Sequence, residues 1–139
     1  MFESGSADLK QKHLENLGRF LREIRTRYEL EGDVIRVEGH TDDVPMGKKL
    51  KYANNWELSV ARATNVGVFM IEKNGYDPDL ISITGHADTR PRVSYTSETG
   101  QRKLGKVLKE TRKANRRVDL IFARPAASEQ IRRFFPEQE

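Results

Sequence analysis

The tetrapeptides "GHTD" at Gly39–Asp42 and "GHAD" at Gly85–Asp88 constrain this chain more than any other feature. Each closes a short apolar run, and each is followed by a proline, Pro45 or Pro91. In the first run, "DVIRVEG", Val34, Ile35 and Val37 alternate with polar partners, which predicts a short strand ending at Gly39. The second run, "LISITG", predicts another strand with the same ending. Between them, "NNWELSVARATNVGVFMIEKNG" reads as a helix. Asn54 with Glu57 three residues later matches a capping box. Leu58, Ala61, Val66 and Phe69 give a buried stripe, and Gly75 ends the helix. Strand, helix and strand over this distance form a βαβ unit with parallel strands and a right-handed crossover. Both Gly-His turns then lie at carboxyl ends of strands, where open α/β sheets carry their sites.

The remaining segments extend this unit. From Asp8, the positions Leu14, Leu17, Leu21, Ile24 and Tyr28 recur at helical steps, with Ser6 or Asp8 as the cap and Gly32 just past the end. The loop from His40 to Ala53 holds Pro45 and Gly47 and reads as irregular, and "YDPDL" turns the chain through Pro78. Within the polar stretch from Pro91 to Asn115, Leu104, Val107 and Leu108 mark a short helix. "RRVDLIFARP" alternates Val118, Leu120 and Phe122 as a third strand. The tail "AASEQIRRFFPEQE" has room for a helical turn or two, with Ile131, Phe134 and Phe135 seeking cover. A length of 139 residues fits one core. The expected division is a domain over 1–125 and a helical extension or tail over 126–139.

Composition narrows the chemistry. The chain has no cysteine, which excludes disulfides, thiol catalysis and cysteine-ligated zinc. No stretch approaches the roughly 20 apolar residues that span a bilayer, and "MFESGSADLK" lacks the regions of a signal peptide. The expectation is a cytosolic protein or a soluble piece of an anchored chain. The net charge of +4 is modest, but eight Lys or Arg and one Glu lie between Arg102 and Arg117. Such a stripe suits an anionic polymer or a solvated helix face. No aromatic interleaves it to stack bases, so nucleic acid is not an expected partner.

Three constellations carry possible chemistry. His40, Asp42, His86 and Asp88 would form a His/carboxylate metal set if the strands are neighbours, the basis for a metal-dependent hydrolase as an alternative. No His-x-x-x-His pair anchors such a set, so no metal or other cofactor is expected, and His86 reads as a turn residue bonded to nearby backbone. A nucleophile triad has no Gly-x-Ser-x-Gly elbow to stand on, and Ser59 lies inside a helix. Asp42, just past a strand, and Arg62, on the border of the buried stripe, form the third. They are either an internal salt bridge or an acceptor and a donor held apart, suited to a zwitterion.

"VEGHTDDVP", "NNWELSVARATNV", "ITGHADTRP" and "NRRVDL" occur in the order and spacing of the OmpA-like domain, and the chain resembles that family from about Phe2 to Phe122. "FESGSADL" is similar to the family's first strand and helix start, and "HTDDVP" with "NWELS" looks most like flagellar stator proteins of the MotB group. The resemblance implies an α/β fold, an OmpA-like βαβαβ sandwich with helices packed on one face of a small mixed sheet. It implies non-catalytic binding of peptidoglycan through the diaminopimelate of the stem peptide, in the periplasm, as a homodimer. It also implies a membrane anchor in a preceding segment, so that this chain is a fragment; the alternative is an outer-membrane or lipoprotein tether of the OmpA or Pal type. By motif, Asp42 would accept the ligand ammonium and Arg62 would hold a carboxylate, which suits a guanidinium fork. Thr41 and Asn55 would border the cleft, with Asn115 and Arg116 flanking it. Two features depart from the family pattern: the longer, basic stretch from Pro91 to Asn115 and the tail after Pro125.

Overall fold

A computed structural model describes residues 1–27 and 32–123. Its elements are α1 (Gln11–Arg27), β1 (Val34–Gly39), α2 (Asn55–Asn74), a 3-10 turn (Pro78–Leu80), β2 (Ile81–Gly85), α3 (Gly105–Asn115) and β3 (Val118–Ala123). Tyr28 and the tail from residue 124, with Ile131, Phe134 and Phe135, lie outside the described residues.

The three strands form one mixed sheet in the order β2-β1-β3. β1 and β2 run parallel from Ile35↔Ile81 to Gly39↔Gly85. β3 runs antiparallel to β1, with Gly39 opposite Val118. The expected βαβ pairing is therefore present, and its register sets the two Gly-His turns side by side. α2 packs on β1 and β2, and α1 packs against α2. The core gathers Leu17 and Leu21 of α1, Ile35 and Val37 of β1, and Ala63, Val66 and Met70 of α2. Full burial of each large aliphatic side chain stabilises the fold by roughly 1.5–3 kcal/mol.

Helix α2 starts where its sequence predicts. Asn54 Oδ1 accepts from the Glu57 amide at 2.9 Å. The reciprocal arm goes one residue further back, because Glu57 Oε2 accepts from the Ala53 amide rather than from Asn54. Gly75 closes the helix in the left-handed region at φ 68°. The buried face differs from the expected stripe. It comprises Leu58, Ser59, Arg62, Ala63, Val66, Gly67 and Met70, while Ala61 and Phe69 are half-buried. Arg62 is thus inside the face, not on its border, because the N-terminal segment covering it offers carbonyl acceptors.

The opening residues also depart from expectation. Among the described residues no strand forms at "FESGSADL", and α1 begins at Gln11 rather than at a cap on Ser6 or Asp8. Side chains from elsewhere take this segment's carbonyls instead. Phe2 O accepts from Arg116, Glu3 O and Ser6 O from Arg62, and Ala7 O from Asn65. Ser6 Oγ accepts from the Asp8 amide, a local turn in place of a helix cap.

Candidate binding site

The site is built at the carboxyl ends of β1 and β2. Here the first turns of α2 cross both strands at contact distance. A Cβ at Gly39 would overlap the Ser59 carbonyl, and one at Gly85 would lie 2.5 Å from Ser59 Oγ and 2.6 Å from Val60 Cγ2. That close approach is the physical reason for glycine in both motifs. Past the glycines the two chains stay tied, with Thr41 N donating to Ala87 O at 2.8 Å and His86 N to Gly39 O at 2.9 Å. Ser59 Oγ accepts from the Ala87 amide at 3.0 Å, which holds Ala87 at φ 51°, a conformation that costs most non-glycine residues energy.

The two histidines stack, with ring centroids 5.1 Å apart and 25° between their planes. His86 Nε2 pairs with Glu38 Oε1 at 3.0 Å rather than with nearby backbone. Burial pushes the Glu38 carboxyl up, but the hydrogen bond and charge of His86 outweigh it and leave that carboxyl below its ordinary range. His40 is buried, and its Nε2 lies 3.3 Å from Asp119 Oδ2, too poorly aligned for a hydrogen bond. Burial, reinforced by the charge of Arg117, lowers the His40 imidazole to about 4, so it is neutral near pH 7.

The four-residue metal set does not assemble. Asp42 turns to an arginine, Asp88 is exposed, and no group of three potential His, Asp or Glu ligands converges among the described residues. The histidines instead close the ends of two paired strands.

Asp42 is 5% exposed. Its Oδ1 accepts from the Val44 amide at 3.1 Å, and its Oδ2 accepts from Arg116 Nη1 at 2.9 Å. A carboxylate has about four lone-pair positions, so two accept no hydrogen bond from the described residues. Arg62, fully buried, spends all three nitrogens on backbone: Nε on Ser6 O, Nη1 on His40 O and Nη2 on Glu3 O, at 2.9–3.0 Å. Its guanidinium also lies over the Phe2 ring, 5.0 Å from the centroid. Burial lowers its pKa to about 10, with Asp42 opposing the shift, so it stays charged at neutral pH. No direct Asp42–Arg62 bridge forms between them. Arg116 holds Asp42, and Arg62 holds the chain around it.

The other rim residues each do a definable job. Thr41 is buried and its hydroxyl donates to Asp42 O. Asn55 Nδ2 donates to Val44 O at 3.1 Å, fixing the loop that carries Asp42. Asn115 is fully buried; its Oδ1 accepts from the amides of Arg92 and Val93, and its Nδ2 donates to Val93 O.

Sequence reasoning missed Asp43. This half-buried carboxylate is paired with Arg102 Nη2 and with Arg112 Nε. Burial raises its pKa, but the two guanidinium hydrogen bonds outweigh that and lower it overall. The arginines of the basic stretch therefore differ from most of its lysines. Arg102, Arg112, Arg116 and Arg117 pair with Asp43, Asp42 and Asp119, while Lys106, Lys109 and Lys113 face solvent. The doubled aspartate in "HTDD" was the one available signal, and an irregular loop has no periodicity to say which carboxylate turns inward.

Together these features define a mixed α/β sandwich whose polar centre sits at the carboxyl end of its parallel pair, with a buried guanidinium beneath an aspartate. Residues 1–105 match the model of the OmpA family, and the chain belongs to that family. Among curated relatives it is 32% identical over 95 residues to Motility protein B of Bacillus subtilis, covering 68% of this chain and 32% of that protein. It is 31% identical over 122 residues to the protein YtxE of the same organism, covering 88% and 44% respectively. The chain thus spans less than half of either relative. Among solved structures, the C-terminal domain of Helicobacter pylori MotB superimposes with a TM-score of 0.71 at 25% identity, covering 91% of this chain and 84% of that one. The cell wall anchor of the T6SS from Pseudomonas aeruginosa gives 0.64 at 28% identity, covering 88% and 75%.

Proposed function

We propose that this domain binds peptidoglycan without catalysis and anchors a membrane protein to the cell wall. The observation that carries this reading is Asp42. It is a nearly buried carboxylate with open acceptor positions, at the carboxyl edge of an OmpA-family sheet. Its ligand is the diaminopimelate of the stem peptide, whose free end carries both an ammonium and a carboxylate. Asp42 accepts the ammonium, and Thr41 and Asn55 hold the loop in place. Arg62 supplies positive field for the carboxylate from below, and direct contact requires the Glu3 and Ser6 carbonyls to give way. Asn115 and Arg116 flank the cleft. Each charge-assisted bond contributes about 1.5–3 kcal/mol, so a single domain binds modestly, and a homodimer on a polymer gains by avidity.

The likeness to Motility protein B supports a stator context, a periplasmic domain carried by a membrane anchor in a preceding segment. The likeness to a T6SS cell wall anchor supports the same wall-binding task in another envelope machine.

Co-sedimentation with purified sacculi tests the reading. Asp42→Asn, with folding checked by circular dichroism, is expected to lose binding, and free diaminopimelate is expected to compete with the unaltered domain. Full retention of binding by a folded Asp42→Asn variant overturns the site assignment.

A further inference from the structure

Asp43 directly follows Asp42, yet its side chain reaches a different part of the fold. Its Oδ1 accepts from Arg112 Nε at 2.8 Å, and its Oδ2 accepts from Arg102 Nη2. Both arginines come from the stretch between Pro91 and Asn115, whose length and charge depart from the family pattern. Arg102 sits on a small hairpin. Thr96 and Arg102 form an antiparallel bridge, Lys103 N donates to Tyr95 O at 2.9 Å, and Gly100 lies in the turn at φ +83°. The Arg102 guanidinium also lies over the Tyr95 ring, 5.0 Å from its centroid. Asn115, fully buried, pins the base of the hairpin through Val93, whose amide and carbonyl it both binds. Arg112 belongs to α3. Asp43 thus joins the loop after β1 to two elements that come 59 and 69 residues later.

We propose that Asp43 is a positioning residue for the wall ligand, a role that rests on the function proposed above. By clamping the Asp42 loop to the hairpin and to α3, it keeps the Asp42 carboxylate in its binding orientation. The amide that follows Asp43 carries the effect. Val44 N donates to Asp42 Oδ1 at 3.1 Å, so the peptide unit between residues 43 and 44 helps to set how that carboxylate points. The loop over residues 40–54 is irregular, and the bond from Asn55 Nδ2 to Val44 O ties it to the start of α2. Irregular loops have competing conformers, and apparent affinity falls in proportion to the fraction that is competent to bind. Two guanidinium groups on one carboxylate keep that fraction high, because charge-assisted bonds are stronger than neutral ones. The Arg102 and Arg112 side chains are 47% and 32% exposed, and ion pairs near the surface add little to global stability. The clamp therefore acts on the local order of the site more than on the stability of the whole domain.

The test measures ligand affinity and local order in variants that circular dichroism shows to be folded. NMR titration with free diaminopimelate is expected to give binding about tenfold weaker in Asp43→Asn, as when about one molecule in ten holds the competent loop. Arg102→Gln/Arg112→Gln should weaken it as much, and the triple variant no further, since all three side chains act through one clamp. A residue that merely supported the fold would leave the affinity of the folded protein unchanged. Without ligand, amide hydrogen exchange is expected to quicken at Val44 in Asp43→Asn while β1 and α2 keep their protection. Unchanged affinity in folded Asp43→Asn, or unchanged exchange at Val44, overturns the clamp. Additive losses in the triple variant overturn it as well, because Asp43 would then act apart from the arginines. Binding lost in Asp42→Asn but kept in Asp43→Asn removes the positioning role alone and leaves the wall-binding reading standing. Binding retained by Asp42→Asn removes the site assignment, and the positioning role with it.

Discussion

Asp42 is held by Arg116, across 74 residues of sequence, through a 2.9 Å bond between side chains that are 6% and 14% exposed. The arginine nearer in sequence, Arg62, instead binds three backbone carbonyls. The positive charge around the site is therefore divided. One guanidinium supports the carboxylate directly, and another supports the chain that shapes the cleft.

Arg116→Gln leaves a nearly buried carboxylate without its cation, and breaking such a pair costs about 3–5 kcal/mol. Urea denaturation is expected to show this loss. Asp42→Asn in the same chain should restore part of it, since no unpaired charge then remains. A strictly additive double variant would mean that the two side chains do not interact.

Arg62→Met should be among the most destabilising single changes, by about 3–5 kcal/mol, because the three carbonyls it serves lose a charged donor. Hydrogen exchange should report the loss of protection first in residues 2–7, the segment it tethers. Uniform loss across the sheet, with that segment unaffected, would contradict the tether.

Gly39→Ala forces a methyl group into the Ser59 carbonyl, which is backbone and has little freedom to retreat. Thermal melting should show a loss of about 3 kcal/mol or more, well above ordinary glycine-to-alanine effects. Gly32→Ala is a useful control, since its Cβ would meet nothing within 4 Å among the described residues. The expected penalty there is that of a non-glycine residue at φ +78°.

Stability should fall as the medium is acidified from about pH 6.5 to about pH 4. The unfolded histidine takes a proton near 6.5, whereas folded His40 resists until about 4. Between these values the unfolded state binds more protons, so lowering the pH favours it. Urea midpoints across this range check the slope. His40→Gln should flatten it, and a slope unchanged by that substitution would place the acid sensitivity elsewhere.

Much of the framework could be read from the chain. The period-two runs at Val34–Val37 and Val118–Phe122 and the caps at Asn54 and Gly75 are local signals, and each corresponds to an observed element. The two Gly-His turns followed from a parallel pair whose register sets Gly39 opposite Gly85. The "FESGSADL" segment was misread because extended backbone looks alike in sequence whether its carbonyls face a strand or a side chain. Here they face Arg62, Arg116 and Asn65, all distant in sequence.

By itself, then, the sequence determined where α2 and the three strands lie, because capping, turn geometry and apolar period act over a few residues. It also carried the family motifs. Only the tertiary structure decided which cation meets which carboxylate, because such pairing depends on elements that approach through the sheet register. Asp42 with Arg116, Asp43 with Arg102 and Arg112, and Arg62 beneath the opening segment are the result. The aspartate after the first Gly-His turn was legible as a candidate. Its partner became visible only when residues 42 and 116 were brought together in space.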